Sequence, residues 1–594
     1  MDLRWSHFSK SIHLLLSVGV LFVCFFLYRL HKWPFFIISL AVFASLIVYP
    51  FVNLDNKIKH LTFDRRPLII LLFVSISGSF YSAHQTGWSE LTYFSQAITI
   101  TTAAVIILHH HTRDWQRAGM AASLAVVIAA TAQIPYEAGV WEPDTYYTHV
   151  GLIQSILTQN GFDPIGRLFF PLHHVLVAEA SLFSGLSAFW TYVVVATIIY
   201  SGICVISFLL ARRFVNSKAA GIAAMVPAVA DYGNFTLTHP GKMTFGYGIL
   251  LVALVCLYIY DRNQRVEAAV LTFLAMFAMV IIHPFSGAVM WMILIVLSLV
   301  SGRRAFGLPA VVYSILFWGY FVTAAHPHWT RFIGAAVIDV MDVVTATGEE
   351  SVQGASRFAT LSFDLVFQMF GQAVLLFGAV WGGLYILNKY DRLLRFREPI
   401  AITTLTLGVA AVGSVVNVSY ILPQRWYLLG YLFGINVLFG LAISRLEKPQ
   451  IAVAAIFLLA ILAPASAIAG FSSAMFYDDP YFKSYGTAEE IEAQPWIDGY
   501  ADGELYGPHG VMYSAQSRES QLYRPSGGLQ TTAITEDDLL IYDREYERTG
   551  FIVSGTGMQV GDRDYLYPQE RGLASNLSKI YENGEIGMYE NATT

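Results

Sequence analysis

Charged residues are scarce in this chain. Asp, Glu, Lys and Arg make up 13% of its 594 residues, whereas hydrophobic residues make up 55%. A soluble domain of this composition could not cover its own surface with polar groups. The scarcity of charge argues against a soluble enzyme or a nucleic-acid-binding domain, and it predicts a polytopic protein whose main partner is the lipid bilayer.

Cysteine is also rare, and all three cysteines, Cys24, Cys204 and Cys256, lie in apolar runs. This pattern predicts neither a disulfide framework nor a Cys-x-x-Cys metal site. The N-terminal apolar run lacks a small-residue cleavage site after it, so we expect an uncleaved first span rather than a signal peptide.

Basic residues are few at the C-terminal end. Residues 471–594 hold 21 acidic against 8 basic residues, a net charge of −13; because the whole chain carries −6, the remainder carries +7. This asymmetry predicts a basic membrane domain over 1–470 and an acidic soluble domain over 471–594. The acidic part contains alternating apolar segments, and Asn583-Gly584 between two of them is a hairpin signal. The expected fold is therefore an all-α polytopic membrane domain followed by a small, β-containing extracytoplasmic domain.

Long apolar runs fill the first 470 residues. A helix needs roughly 17–25 apolar residues to cross a hydrocarbon core of about 30 Å. Fifteen runs qualify, the short 219–232 run least securely: 11–29, 34–53, 67–84, 91–109, 117–135, 188–211, 219–232, 245–261, 266–283, 285–301, 306–324, 365–388, 399–420, 427–444 and 451–470.

Lys and Arg clusters between these runs predict the orientation, because positive loops stay on the cytoplasmic side. The clusters alternate correctly if 168–186 lies along the outer face without crossing; the alternative is that 168–186 crosses and one later span is wrong. We expect a multi-pass plasma-membrane protein with a cytoplasmic N-terminus and an extracytoplasmic C-terminal domain. The clusters begin at Lys57, Arg113, Arg212, Arg262, Arg303, Lys389 and Arg445.

Two outer loops, 136–187 and 325–362, are too long to be simple connectors. The first begins with Glu142-Pro143-Asp144 directly after a span, and an amphipathic helix is predicted over 146–157. Asp144 has two readings that can coexist. It can cap this helix, with Glu142 as a solvated loop acid. It can also serve as a general base, or as part of a metal site, at the mouth of a membrane cavity.

The order of motifs in this loop resembles that of the GT-C class of polytopic glycosyltransferases. The resembling features are the Glu-x-Asp pair, the amphipathic helix after it, a Pro-Leu-His-His helix that ends in Gly-Leu-Ser, and a span that closes on Ala-Arg-Arg. The match covers roughly 118–213. The extra N-terminal spans depart from the class, in which the acidic loop usually follows the first span.

The resemblance implies transfer of a sugar from dolichyl phosphate to an acceptor on the outer face, with Asp144 as the base and Glu142 as its helper. The acceptor would be a glycan on a lipid or on a surface glycoprotein. Within the class, the chain is most similar to the haloarchaeal dolichyl-phosphate-mannose mannosyltransferases of surface-layer N-glycosylation. The acidic domain fits a high-salt archaeon, and mannose is the expected sugar.

A departing dolichyl phosphate needs a cation at the membrane surface. Arg425 lies at the outer end of a late span and suits a bidentate phosphate contact, although an interfacial arginine in a Trp/Tyr belt would look the same. Lys242 is a second candidate, for which an ordinary loop lysine is the simpler interpretation. Asp231 is an acid at a membrane edge and thus a functional suspect, or a loop cap.

Histidines gather on the predicted outer side. His173 and His174 are further candidate site residues, but no histidine pair has helical ligand spacing, and His-Pro at the ends of spans is mostly a turn feature. The sequence therefore leaves the metal content unknown and a divalent ion open.

Two other functions compete with this one. Pro495–Tyr500 loosely resembles the Trp-Trp-Asp-Tyr-Gly signature of oligosaccharyltransferases, with departures at the second tryptophan and after the aspartate. A lipid-linked-sugar flippase or transporter is the other alternative. Against it, the sequence shows no matched Gly/Pro-broken spans in two halves.

Overall fold

A computed structural model gives the architecture. It describes residues 15–25, 28, 33–51, 66–86, 90–109, 111–133, 149–159, 170–230, 236–237, 242–326, 330, 334, 363–388, 390–416 and 423–462, and six short strands between 505 and 591. Most of the predicted outer loop 325–362 and much of the acidic C-terminal part fall outside the described residues.

Helices make up the described membrane part. They are α1 (Leu15–Phe25), α2 (Trp33–Val48), α3 (Arg66–Thr86), α4 (Glu90–Leu108), α5 (Asp114–Gln133), α6 (Gly151–Gln159), α7 (Leu172–Ser184), α8 (Ala188–Phe214), α9 (Ser217–Val229), α10 (Lys242–Asn263), α11 (Val266–Ile282), α12 (Pro284–Ser301), α13 (Arg304–Thr323), α14 (Phe363–Leu387), α15 (Tyr390–Val416), α16 (Pro423–Leu432), α17 (Ile435–Ile443) and α18 (Pro449–Leu462).

Six of the described helices, α3, α4, α8, α10, α12 and α13, are long and apolar enough to cross a membrane, by length and composition. This agrees with a helical membrane protein, while the count of fifteen spans stays a prediction. α3 carries exposed Ile70, Phe73 and Val74, as expected of a helix that faces lipid.

The shortest predicted span lies at the centre of the bundle. All residues of α9 from Ala219 to Val229 are buried, and the helix packs against α4, α5, α8, α16 and α17. Glycines permit this close packing: a β-carbon on Gly440 of α17 would lie 2.3 Å from the Ala219 carbonyl oxygen, and one on Gly221 would lie 2.5 Å from Ile107. Small residues are the usual means by which helices approach closely in membranes.

The predicted span 427–444 is wrong as one continuous helix. It is broken between α16 and α17 at Gly434, whose φ of +134° is open to glycine and strained for other residues. The Asn436 carboxamide oxygen accepts from the backbone N–H groups of Gly434 and Val437, and its nitrogen donates to the Leu432 carbonyl 3.0 Å away. The Ser207 hydroxyl also donates to that carbonyl. These side chains satisfy the backbone groups that the break would otherwise leave buried without partners.

Three of the predicted cytoplasmic clusters, those that begin at Arg113, Arg212 and Arg303, meet at one end of the described bundle. Asp261, at the C-terminal end of α10, pairs with Arg213 of α8 and with Arg303 beside α13. Asp114, at the start of α5, pairs with Arg212 at 3.2 Å and with Arg117 at 3.3 Å. Ion pairs near a protein surface contribute little stability, so the value of these pairs here is positional. They place the loops before α5, α9, α11 and α13 on the same side, which we name the basic end.

The basic end also receives α15. Arg395 donates to the Arg213 carbonyl at 3.0 Å, and Arg397 donates to the Ser301 carbonyl. Partial burial acts to raise the pKa of Asp114, but the Ser217 hydrogen bond and the Arg212 and Arg117 charges outweigh it, so this pKa is lowered. The carboxylate therefore stays ionised, and its pairs intact, until the pH falls below the range of an ordinary aspartate.

Cysteine labelling tests the orientation. The native cysteines are buried, so they give little background. We expect a membrane-impermeant maleimide to label Glu179→Cys, on the exposed side of α7, in intact cells. Arg303→Cys, at the basic end, should react only after the membrane is opened. The reverse pattern would place the predicted catalytic loop inside the cell and contradict the assigned topology.

The C-terminal strands form two small sheets. The larger has the order β1 (Leu505–Tyr506), β2 (Leu539–Asp543), β6 (Ile586–Asn591) and β5 (Leu577–Glu582), and β3 (Ile552–Val553) pairs with β4 (Gln559–Val560). β5 and β6 pair antiparallel on either side of Asn583-Gly584, as the hairpin signal predicts. The assignment of these strands to an independent outer domain stays a prediction.

Candidate functional site

The structure describes only some of the predicted site residues. Glu142, Asp144 and Asp231 lie outside the described residues. Lys242 is the first residue of α10, and Arg425 is the third residue of α16. The described part of the candidate site consists of the elements that carry or adjoin these residues.

Two short helices follow the acid pair. α6 packs against α7, and α7 packs against α8 and α11. With 13 residues, α7 is about 20 Å long, which is shorter than a hydrocarbon core of about 30 Å. This length fits an interfacial position for 168–186, which stays a prediction.

The Gly-Leu-Ser turn fixes α7 against α8. α7 ends at Gly185, whose φ of +69° lies in the left-handed region that glycine adopts without strain. Ser187 then caps α8 by accepting from the Trp190 backbone N–H. The Ser181 hydroxyl donates to the Leu186 carbonyl at 2.7 Å and closes the turn. The Gly-Leu-Ser turn thus fixes the orientation of α7 and of its buried face relative to α8.

Three histidines meet on that face. His149, immediately before α6, lies with Nδ1 3.0 Å from Nε2 of His174, and the His173 and His174 ring centroids are 3.6 Å apart. His149 is 8% exposed, and His173 and His174 are each 1% exposed. One ligand nitrogen of each ring lies within 4.8 Å of the other two. We name this group the histidine cluster; its imidazoles could hold a divalent metal ion.

Aromatic side chains border the cluster. The Tyr192 ring of α8 stacks on His149 with centroids 6.2 Å apart, and the Phe245 ring of α10 lies 5.8 Å from His173. Tyr192 and Phe245 also contact each other, at 5.8 Å between centroids. The three imidazoles therefore lie among aromatic side chains at the N-terminal ends of α8 and α10.

A chain of contacts leads from the cluster towards Arg425. A β-carbon on Gly246, next to Phe245, would lie 2.5 Å from the Ser286 hydroxyl, so α10 and α12 touch at their N-terminal ends. One residue before Ser286, Phe285 contacts Trp426 of α16 with ring centroids 5.5 Å apart. Arg425 precedes Trp426, and Lys242 begins α10 one turn before Phe245. The histidine cluster and both candidate phosphate cations thus belong to one end of the bundle.

This end is opposite the basic end. α8 and α10 start at the cluster and finish at Arg213 and Asp261, the residues that form the basic end. α10 has 22 residues and a length of about 33 Å, so the two ends are about a membrane thickness apart.

His283 is not part of the histidine cluster; it caps a helix. Its Nδ1 accepts from the Ser286 backbone N–H at 3.2 Å and caps α12. This agrees with the expectation that His-Pro at the end of a span is a turn feature. By contrast, no spacing in the sequence predicts the histidine cluster. His149 lies far from His173 along the chain, and the two meet only because α6 packs against α7.

Comparisons with known proteins give distant likenesses. No family model and no curated protein matches the chain. It is similar to a crystal structure of the Archaeoglobus fulgidus oligosaccharyltransferase in the apo form, at a TM-score of 0.45 and 13% identity, covering 72% of this chain and 69% of that one. A complex of the same protein with Zn and sulfate gives a TM-score of 0.39, also at 13% identity, over 72% and 68%. Likenesses this distant assign no function to the chain.

Proposed function

We propose that the chain is a membrane glycosyltransferase of the GT-C type, which moves mannose from dolichyl phosphate to a glycan acceptor on the outer face. The observation that supports this most is the convergence of α6, α7 and the starts of α10 and α16 at one end. That end carries the histidine cluster, Lys242 and Arg425.

Chain length ties the acid pair to the same end. Asp144 precedes His149 by five residues, which span at most about 18 Å when fully extended. The opposite end of α10 is about 33 Å away. We therefore expect Asp144 at the same end as the histidine cluster, Lys242 and Arg425.

The proposed reaction needs one base and a place for one anion. Asp144 takes the proton of the acceptor hydroxyl as its oxygen bonds to the anomeric carbon of the sugar. The bond from that carbon to the phosphate oxygen breaks, and dolichyl phosphate leaves with the electron pair. A phosphate monoester is a weak base, so departure requires no general acid. Arg425 and Lys242 stabilise its charge at the membrane surface.

A purified full-length chain in liposomes tests the activity. Supplied with labelled dolichyl-phosphate-mannose and a glycan acceptor, it should produce labelled glycan, whereas a nucleotide-linked mannose should give none. Transfer from the nucleotide sugar alone would contradict the choice of donor.

Arg425→Ala is expected to reduce kcat/KM for the lipid-linked donor about 10- to 100-fold, chiefly through KM. This matches about 1.5–3 kcal/mol for a charge-assisted hydrogen bond. Arg425→Lys should keep part of the activity because it keeps the charge. Arg304→Ala, an exposed arginine at the basic end, is the matched control and should behave as wild type. Donor kinetics unaffected by Arg425→Ala would exclude this phosphate contact.

The two alternatives differ in their products. An oligosaccharyltransferase transfers a whole glycan, but its possible signature at 495–500 departs from the expected pattern and lies outside the described residues. A flippase would transfer nothing. The break at Gly434 is the kind of discontinuity that transporters use, yet transporters carry such breaks in matched halves. Here Asn436 and Ser207 already satisfy the backbone at the break, which favours a structural role.

A further inference from the structure

We propose that His149, His173 and His174 bind one Zn²⁺ ion. Three imidazoles from two separate segments meet in a buried site, with one nitrogen of each within 4.8 Å of the other two. The proposal rests on this geometry. A role for the ion in sugar transfer rests on the proposed function, but the binding itself does not.

The distances suit a tetrahedral ion. Zinc–nitrogen bonds of 2.0–2.1 Å place two tetrahedral ligand atoms about 3.3 Å apart. Nδ1 of His149 and Nε2 of His174 are 3.0 Å apart, so these rings need to separate by only a few tenths of an ångström. The His173 centroid lies 5.1 Å from that of His149 and 3.6 Å from that of His174, and one of its nitrogens lies within 4.8 Å of a ligand nitrogen on each. The His173 ring must therefore turn away from His174 for all three nitrogens to reach one ion.

The donor type selects the class of metal. Imidazole suits zinc and other late transition ions, whereas magnesium, calcium and manganese prefer carboxylate, carbonyl and water oxygens. Three imidazoles in a pocket walled by Tyr192 and Phe245 therefore favour zinc over magnesium. Three protein ligands leave a fourth position, as in zinc sites that bind water or a substrate oxygen.

A simpler arrangement explains only part of the cluster. A neutral histidine pair that shares one proton accounts for the 3.0 Å contact between His149 and His174. It does not explain why the His173 imidazole also lies here, with its ring centroid 3.6 Å from that of His174, in a core that is otherwise mostly apolar. One bound ion uses all three rings and joins the start of α6 to α7. The net charge of that ion calls for an anion nearby. Asp144 lies five residues before His149 in the sequence, whereas Glu179, five residues after His174, is exposed.

Metal content provides the direct test. The full-length chain is purified in detergent, stripped with a chelator, loaded with excess Zn²⁺, desalted and assayed for metal by mass spectrometry. We expect one zinc per chain for wild type. His174→Ala and His149→Ala should weaken zinc affinity by more than the roughly 10- to 100-fold typical of losing an outer partner of a metal ligand. His326→Ala removes an exposed histidine at the same end of the bundle and should retain one zinc.

X-ray absorption at the zinc edge identifies the ligands in the wild-type chain, so it tests the site even if the variants fail to fold. Wild-type chain loaded with one equivalent should show three imidazole ligands. Fewer than three imidazoles, no zinc retained by wild type, or full zinc content in folded His174→Ala would each overturn the proposal. Zinc bound by histidine in a chain that transfers no sugar would uphold this site and reject the proposed function. Transfer without zinc binding would do the opposite.

Discussion

Replacing Asp144 with Asn is expected to abolish sugar transfer while expression and membrane insertion stay normal. A positioned base contributes about 10²- to 10⁴-fold to proton transfer, and asparagine cannot accept the acceptor's proton. We therefore expect a loss of at least about 100-fold in kcat for the purified chain, measured with dolichyl-phosphate-mannose and a glycan acceptor.

This substitution also separates the two readings of Asp144. Asparagine caps a helix about as well as aspartate, so Asp144→Asn keeps the capping group and removes only the base. Glu179→Gln, at an exposed position on α7, makes the same change of charge and should leave transfer intact. Cells carrying Asp144→Asn that still complete the glycan would show that the aspartate is a cap and not the base.

Gly382→Ala should strongly destabilise the bundle. A β-carbon at this position would lie 2.1 Å from the Leu438 carbonyl oxygen and 2.7 Å from its carbon. Those atoms belong to the backbone of α17 and cannot turn aside, so α14 and α17 would have to separate. Overpacking of this kind costs typically about 1–3 kcal/mol, and a backbone contact belongs at the upper end of that range.

Gly383→Ala is the matched control, because nothing lies within 4 Å of a β-carbon there. Alanine is favoured over glycine in a helix by up to about 1 kcal/mol, so this variant should be as stable as wild type or more so. The measurement is the half-life of the folded chain in detergent at a fixed temperature. Equal half-lives for the two variants would contradict the packing of α14 on α17.

Local patterns in the sequence predict several features of the fold. Apolar length predicts α3, α4, α8, α10, α12 and α13, because each crossing must satisfy its own backbone over about 20 residues. The positively charged loops predict which helix ends lie on the same side of the bundle. The contacts of Asp261 with Arg213 and Arg303 bring those helix ends together. The paired strands around Asn583-Gly584 also follow from a short local pattern.

Tertiary packing determines what the sequence does not reveal. A run of apolar residues looks the same facing lipid or facing protein, so composition does not reveal that α9 is buried from Ala219 to Val229. The break at Gly434 depends on Asn436 and on Ser207 of a distant helix. The histidine cluster requires α6 to fold back on α7, which no spacing between His149 and His174 encodes.

Mass spectrometry of surface glycopeptides from cells that lack this chain tests the central claim most directly. Loss of a single terminal sugar, with the lower part of the glycan intact, is the result we predict. Restoration by the wild-type chain but not by Asp144→Asn should accompany it. Complete loss of the glycan would indicate an oligosaccharyltransferase, and accumulation of the lipid-linked sugar on the cytoplasmic side would indicate a flippase. Either outcome would contradict a glycosyltransferase that adds one sugar at the outer face.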